Sequence, residues 1–241
     1  VLLKNGTYVR LDNYEEAKRV VDNVEKIIDL GEILIPVGEF IENNHKLEPS
    51  GWCDEWWRAI IESHDVKSYG SDFDFKSLFK YSLENKIPLH PKYTYYWADL
   101  EVKEIIDLRA QLIKDAQSVI QNRFKLMYKE ILLRLGIYYK TTDKLINLED
   151  GIEPLLQQLG LEIKGSSIVS ILDPKDTEDS LELVSHLSGV EIKNRAPTRV
   201  GASMGRPEKA NERRMKPPPN VLFPLGEAGG SQRLVNSAMK V

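Results

Sequence analysis

Residues 6–37, GTYVRLDNYEEAKRVVDNVEKIIDLGEILIPV, carry the pattern that decides the predicted fold. Residues 6–12 alternate β-branched and aromatic side chains and predict a strand, and Asn13 with Glu16 three positions later predicts a helix N-cap. Residues 32–37 predict a second strand, so the unit is strand, helix, strand. The helix has apolar positions at Ala17, Val20, Val21, Val24, Ile27 and Ile28, and Gly31 ends it.

A similar unit recurs near residue 170. Residues 167–172 predict a strand, residues 178–187 a helix that Gly189 ends, and residues 190–193 a second strand. Two explanations remain open. Either the similarity is a coincidence, because strand–helix–strand units commonly have the same residue types at their helix ends, or the two units arose by internal duplication. A small barrel built from two such halves would explain a duplication.

The stretch between the two units is mainly helical in its pattern. It starts with Trp52, Trp56 and Trp57, and one long amphipathic helix is predicted from Asp99 to Leu135. The pattern fits either a helical insertion packed on the barrel or a coiled-coil partner surface. The apolar stripe comprises Val102, Ile105, Ile106, Leu112, Ile113, Ala116, Val119, Ile120, Phe124, Met127 and Ile131, and Gly136 ends the helix. Shorter helices are predicted near Leu145 and from Ile152 to Leu159.

Composition limits the class of protein. The chain has 241 residues, of which 41% are hydrophobic and 29% charged, and its net charge is −4. It has no uncharged apolar run of about 18 residues and no signal-peptide pattern, so we expect a soluble, cytoplasmic protein without a membrane partner. The single cysteine, Cys53, excludes an internal disulfide. Because the chain begins at Val1 without a methionine, we expect a fragment of a longer protein.

Cations concentrate in residues 195–219, which hold seven of them against two carboxylates. The net charge of this segment is +5, so the other 216 residues carry −9. Pro207 suits the first turn of a helix and Pro217 forbids its continuation. On that helix Arg206, Lys209, Arg213 and Lys216 share one face. The free amides and the positive dipole end at the N-terminus of the helix suit phosphate oxygens.

This basic helix has two interpretations. The first is a solvated face on which Glu212 pairs with Lys216. The second is a surface for an anionic partner, which would offset the repulsion between like charges. The glycines before the helix and the prolines after it favour the second, so we predict a phosphate-bearing partner.

Other polar groups are weaker candidates. Asp72 and Asp74 have the spacing of paired metal ligands. The alternative is that Asp72 caps a helix and Asp74 is a solvated neighbour. Asn43 and Asn44 lie in a predicted polar turn. Their amides either orient a backbone or nucleic acid, or they only stabilise the turn itself. Residues 226–233 lack the ending of a phosphate-binding P-loop and predict either a linker or a loop whose backbone approaches another group closely. The four histidines, His45, His64, His90 and His186, lack zinc-site spacing, and no metal ligand is predicted.

Three stretches carry a family resemblance. They are GEILIPVGEFIENN at residues 31–44, RAPTRVGASMGRPEKA at residues 195–210, and KPP from residue 216 with VLFPLGEAGGSQR at residues 221–233. In this order they resemble the large subunit of the archaeal family D replicative DNA polymerase. The GRPEKA and GGSQR motifs are the most specific part of the resemblance.

The resemblance implies an α+β fold with a double-psi β-barrel-like domain, interrupted by a mainly helical insertion. In this family one barrel holds the metal ions and another presents basic residues, and this chain resembles the basic barrel. The implied division is residues 1–50 for the first part of the barrel, 51–160 for the insertion, 161–226 for the second part with the basic helix, and 227–241 for a linker toward a zinc-binding region.

The implied function is a part of the catalytic core of a DNA-directed DNA polymerase that performs template-directed nucleotidyl transfer. We expect Lys209 and Arg206 next to the reacting phosphates. The expected DNA contacts are Arg199, Arg213, Arg214 and Lys216, and Asn43 and Asn44 are candidates for orienting a backbone.

The resemblance also implies cofactors and partners. Mg²⁺ is expected on carboxylates of an Asp-Phe-Asp-Gly-Asp-like stretch outside this chain, and zinc sites are expected outside it as well, so the chain alone should be inactive. The expected partners are a DNA primer–template, deoxynucleotides, the small exonuclease subunit, the rest of the large subunit and the sliding clamp. The alternatives are a non-catalytic nucleic-acid-binding module and a protein-interaction element built on the long helix.

Overall fold

The computed structural model of the chain describes residues 1–28, 32–36, 50–52, 54–63, 74–142, 144–195, 198–203 and 222–228. The chain divides into two units. The first comprises Val1–Ile28 and Ile61–Asn194, and the second comprises Asp29–Ile60 and Arg195–Val241. The four-part division drawn from the sequence stays a prediction.

Helices and strands both contribute to the fold. The strands are β1 (Leu2–Leu3), β2 (Val24–Lys26), β3 (Glu32–Pro36), β4 (Ser50–Gly51), β5 (Phe124–Lys125), β6 (Tyr139–Thr141), β7 (Leu145–Leu148), β8 (Leu161–Lys164), β9 (Ser167–Ser170), β10 (Thr198–Ser203) and β11 (Leu222–Ala228). The α-helices are α1 (Tyr14–Val20), α2 (Asp54–Ser63), α3 (Phe75–Asn85), α4 (Val102–Lys114), α5 (Ala116–Ile120), α6 (Lys129–Arg134), α7 (Glu153–Gln158) and α8 (Ser180–Ser188). Short 3₁₀ turns lie at Val21–Asn23, Pro91–Tyr93, Trp97–Asp99 and Leu126–Tyr128.

The predicted cap of the first helix is confirmed. The Asn13 side chain accepts the amide of Glu16 at 3.0 Å, and the Glu16 carboxylate accepts the amide of Asp12 at 3.1 Å. Two orphan amides at the helix start are thereby satisfied.

The predicted extent of the first helix is wrong. It ends at Val20, and β2 pairs antiparallel with β1, Leu3 opposite Val24. The β-branched residues after Val20 favour this extended pairing over further helical turns. Residues 6–12, all of them described, form no regular strand; Tyr8 alone among them bridges Leu2 and Tyr139.

The single long helix from Asp99 to Leu135 is also a wrong prediction, and with it the coiled-coil surface. The segment contains α4, α5, β5 and α6 in succession. Asn122 adopts a positive φ of 56°, and its side chain bonds both the amide and the carbonyl of Leu148 at 2.9 Å. These tertiary hydrogen bonds replace the helical ones at this point.

Two further predictions are wrong, and one is confirmed. The helix expected near Leu145 is strand β7, which pairs with both β5 and β6. Helix α8 ends at Gly189 with a left-handed φ of 75°, as predicted. Residues 190–193 form no strand, because the Ile192 amide bonds the Ser185 hydroxyl at 2.9 Å instead of a neighbouring strand. The second strand–helix–strand unit therefore lacks its closing strand, and β9 pairs with β8 as a hairpin.

The core of the first unit is closed by a buried polar bridge. Trp97 and Gln158 are both fully buried, and the indole Nε1 donates to the Gln158 Oε1 at 2.9 Å. The Gln158 amide donates in turn to the carbonyls of Tyr93 at 2.7 Å and Pro154 at 3.0 Å. The bridge lets a polar side chain enter an apolar interior with its hydrogen bonds made.

Arg109 is a second buried polar anchor, with 6% of its surface exposed. Its Nε donates to the Leu159 carbonyl at 2.9 Å, and its guanidinium also donates to the Ser170 hydroxyl and the Leu172 carbonyl. Burial lowers the pKa of Arg109, and Asp173 opposes that effect. The guanidinium therefore ties α4 to the chain on both sides of the β8–β9 hairpin.

Asp115 lies at the junction of α4 and α5. Its carboxylate accepts bonds from Lys125 at 2.6 Å, Tyr128 at 3.0 Å and Gln111 at 3.1 Å. Burial alone would raise the pKa of Asp115, but the hydrogen bonds from these three side chains outweigh it and hold the pKa below its ordinary value. The carboxylate thus fixes the turn between the two helices in its charged form.

Across the part of the chain that the structure describes, no helix is both long enough and apolar enough to cross a membrane.

Replacing Arg109 with Met should lower the free energy of unfolding by about 3 kcal/mol, because one buried and two partly buried acceptors lose their donor. Urea unfolding followed by circular dichroism measures this. Lys114→Met, at an exposed position of the same helix, is the matched control and should change the free energy by no more than about 0.5 kcal/mol. Equal losses for the two variants would contradict the anchoring role.

Asp115→Asn should destabilise the chain near neutral pH by about 1–2 kcal/mol, because the charged acceptor is lost. A folded-state pKa below the unfolded value contributes stability above the unfolded pKa, and that stability disappears as the pH falls through the folded pKa. The difference between wild type and variant should therefore shrink below about pH 4. Unfolding curves collected across the acid range test this, and a difference that stays constant would contradict it.

Candidate nucleic-acid interface

The second unit contains a four-stranded sheet with the order β3-β10-β11-β4. Strand β10 is parallel to β3 and antiparallel to β11, and β11 is antiparallel to β4. The paired strands β3 and β10 are far apart in sequence, with residues 61–194 of the first unit between them. Each of the three stretches that carry the family resemblance contributes one strand to this sheet.

One edge of the sheet joins the three stretches. Ser203, at the end of β10, pairs with Pro36 at the end of β3 and with Leu222 at the start of β11. Parallel strands end at the same edge, and an antiparallel neighbour starts there. At this edge the chain continues from β3 to residue 37 and from β10 to residue 204, and it enters β11 from residue 221. We term this edge the shared edge.

The connection between β10 and β11 is unusually long for neighbouring antiparallel strands. It runs over 18 residues, 204–221, whereas hairpin loops commonly have 2–5. The sequence of this connection contains five cations and two carboxylates. A loop of this length is typical of a functional segment.

Most of the predicted site residues lie outside the described residues. They are Asn43, Asn44, Arg206, Lys209, Arg213, Arg214 and Lys216. Asp72, Cys53, His45 and His64, which are not assigned to the site, also lie outside the described residues. Connectivity nevertheless relates two groups of them to the shared edge. Arg206 follows the last residue of β10 by three positions, and Asn43 follows the last residue of β3 by seven.

Arg199 is the predicted DNA contact whose backbone the structure describes. Its register places it directly opposite Glu32 on β3 and opposite Glu227 on β11. Directly opposite residues share a face of a sheet, so Glu32, Arg199 and Glu227 form one cross-strand row. Arg199 also precedes Ser203 by four residues, which is about 13 Å along a strand from the shared edge.

The sequence alone carried no signal for this row, because Glu32, Arg199 and Glu227 are distant in the chain. A register irregularity follows it immediately. Between Arg199 and Gly201 on β10 one residue faces two on β11, Leu225 and Gly226. Such a bulge bends and twists the strand locally. Because β11 continues to Ala228, the first residues of the predicted 226–233 linker belong to the sheet.

Asp74 turns out to be a helix cap. Its carboxylate accepts the amide of Ser77 at 3.1 Å at the start of α3. Hydrogen bonds from Ser77, first from its side chain and then from its backbone, lower the pKa of the exposed Asp74. Within the described ranges no group of three or more His, Cys, Asp or Glu side chains is arranged to hold a metal ion.

Comparison with known proteins identifies relatives along the entire chain. A family model described as "DNA polymerase II large subunit DP2, central domain" matches residues 1–241. The DNA polymerase II large subunit of Archaeoglobus fulgidus is 37% identical over 246 residues, which cover 99% of this chain and 21% of that protein. The protein of the same name from Thermoplasma acidophilum is 37% identical over 245 residues, covering 100% of this chain and 22% of that protein.

A third relative, the DNA polymerase II large subunit of Methanococcus maripaludis strain C7, is 36% identical over 257 residues. The chain spans about a fifth of the length of these curated relatives. The resemblance noted in the sequence is therefore confirmed: the chain belongs to the family of the DNA polymerase II large subunit, central domain.

Proposed function

We propose that this chain is a part of a DNA polymerase large subunit that supplies cations to the phosphates of DNA and of the incoming nucleotide. The observation that carries the proposal is the shared edge, where the three motif-bearing stretches leave or enter one sheet. Family membership supports DNA as the polyanion, because the relatives are named DNA polymerase II large subunits.

The chemistry proposed for the basic connection is electrostatic. Phosphoryl transfer develops negative charge on phosphate oxygens, and a protein accelerates it by positioning the reactants and neutralising that charge. We assign Lys209 and Arg206 to the reacting phosphates, because both lie in the GRPEKA motif, the most specific part of the family resemblance. Arg213, Arg214 and Lys216 come later in the connection and are assigned to the primer–template backbone.

Arg199 receives a different role from the one expected from sequence. Its position between Glu32 and Glu227 favours a cross-strand interaction that aligns β3, β10 and β11. Asn43 and Asn44 remain proposed backbone-orienting residues on the segment that follows β3. In this scheme Arg199 acts through the sheet, whereas the cations of the connection contact the nucleic acid.

Metal ions belong to the proposed complete enzyme. Mg²⁺ would neutralise charge on the transferring phosphate, held by carboxylates elsewhere in the large subunit, and zinc sites are likewise proposed elsewhere. Among the described residues, no three or more His, Cys, Asp or Glu side chains are grouped so that they could hold such an ion. The residues of this chain act on the phosphates through their charge, and we propose that the chain alone is inactive.

The fold and the partners are proposals of the same kind. A double-psi β-barrel with an inserted helical region is supported by the parallel pairing of β3 with β10 across the intervening residues 61–194. The proposed partners are the small exonuclease subunit, the remaining parts of the large subunit and the sliding clamp. A non-catalytic nucleic-acid-binding module is the second candidate, favoured by the concentration of cations in residues 195–219, which phosphate contacts alone would explain.

Lys209→Ala in the complete two-subunit enzyme should lower the rate of nucleotide incorporation at least about 100-fold, because a charge-stabilising group is lost. Single-turnover primer extension measures the rate. Lys80→Ala, at an exposed position of α3, is the matched control and should leave the rate unchanged. Loss of DNA affinity with an unchanged single-turnover rate at saturating DNA would favour the non-catalytic module.

Salt dependence should separate the two roles assigned to arginines. In the same enzyme, Arg213→Gln should reduce the slope of log affinity against log salt by about one unit, because one phosphate contact is lost. Arg199→Gln should leave that slope unchanged and should lower the midpoint of thermal unfolding. Fluorescence anisotropy with a labelled primer–template measures the slope, and a reduced slope for Arg199→Gln would restore the DNA contact expected from sequence.

A further inference from the structure

Helix α4 carries two apolar stripes, and the first unit covers only one of them. The covered stripe is formed by Ile105, Leu108 and Leu112, all of which are buried. The second stripe comprises Val102, Ile106, Ala110 and Ile113, spaced so that they lie along one face of the helix. Ile106 is 38% exposed, Ile113 is 37% exposed and Ala110 is exposed between them.

A second element forms a wall beside this stripe. Arg109 lies between the two stripes of α4, and its guanidinium reaches across to the Ser170 hydroxyl and the Leu172 carbonyl. The segment after β9 is thereby held alongside the stripe. It adds two more exposed aliphatic side chains, Ile171 at 50% and Leu172 at 40%. The two elements together form an apolar groove, defined by the stripe of α4 and residues 171–172.

The groove continues into a cleft at the N-terminal end of α4. The cleft has a volume of about 630 Å³ and is lined by Leu100, Val102 and Leu181 at its apolar wall. Its rim carries three carboxylates, Glu101, Glu178 and Asp179. The groove is therefore apolar along its length and acidic at one end.

We propose that this groove receives an amphipathic helix from a part of the same large subunit outside residues 1–241. An apolar stripe with a small residue at its centre matches the packing of a helix into a groove, because Ala110 permits close approach. The acidic rim selects a helix with lysine or arginine at the end that reaches the cleft. Nucleic acid does not suit a surface that is aliphatic and ends in carboxylates.

The rest of the same large subunit is the proposed source of this helix because of its size. The chain matches about a fifth of the length of its relatives, so some four-fifths of such a subunit is available to pack against it. Exposed contiguous apolar surface on a protein marks an interaction site. The inference rests on family membership and is independent of the phosphate contacts proposed for the second unit.

Site-specific photo-crosslinking in the complete large subunit tests the proposal. A photoreactive amino acid is introduced in place of Ile106 or Ile113, and the crosslinked peptides are identified by mass spectrometry. We expect peptides from outside residues 1–241 of the same copy, with reactive positions spaced three or four residues apart. Leu83 on α3, which is 51% exposed and is not one of the groove residues, is the matched control site and should give no such peptide.

Ala110→Arg supplies the second measurement. An arginine at the centre of the stripe should reduce the crosslink yield from Ile113 at least tenfold, while the exposed position leaves the fold of the unit intact. Lys80→Ala on α3 should leave the yield unchanged. Crosslinks only to residues 1–241, to a second copy or to another polypeptide would overturn the proposal. DNA affinity, measured on the same variants, tests the proposed phosphate contacts separately.

Discussion

The parallel alignment of β3 on β10 is the constraint from which the candidate interface follows. It brings Pro36 and Ser203 to one edge although most of the first unit separates them in sequence. Strand β11 then starts at that edge because it runs antiparallel to β10. A slip of one residue in this register would move every side chain of β10 to the other face of the sheet. The register also sets the cross-strand row of Glu32, Arg199 and Glu227, which are distant in the chain.

The first unit depends on polar side chains to end its helices and to join distant segments. Asp115 and Asn122 interrupt what sequence periodicity presents as one continuous helix, and Arg109 and Gln158 bridge elements across the interior. Asn122, Arg109 and Gln158 bond groups that are remote in the chain, whereas the partners of Asp115 lie within 13 positions of it. An unsatisfied buried donor or acceptor costs more than a helical turn gains, so these bonds decide where the helices stop.

Prediction from the sequence succeeded where the signal was local. The Asn13 cap, the glycine that ends α8 and strand β3 depend on residues within a few positions of one another. It failed where the deciding partner was distant. Residues 190–193 have strand propensity, yet the Ser185 hydroxyl takes the Ile192 amide. For the site, the predicted DNA contact of Arg199 stays a prediction. Only its strand register, opposite Glu32 and Glu227, is added by the structure, and that register depends on strands remote in the chain.

The sequence by itself determined the family, through motifs that the comparisons match along the entire chain, and it determined that cations concentrate in residues 195–219. Only the tertiary structure decided that three remote stretches meet at one edge of a sheet, and that α4 keeps a second apolar stripe exposed. The reason is physical: motif identity and charge are properties of the residues themselves, whereas strand register and burial are set by residues far away in the chain.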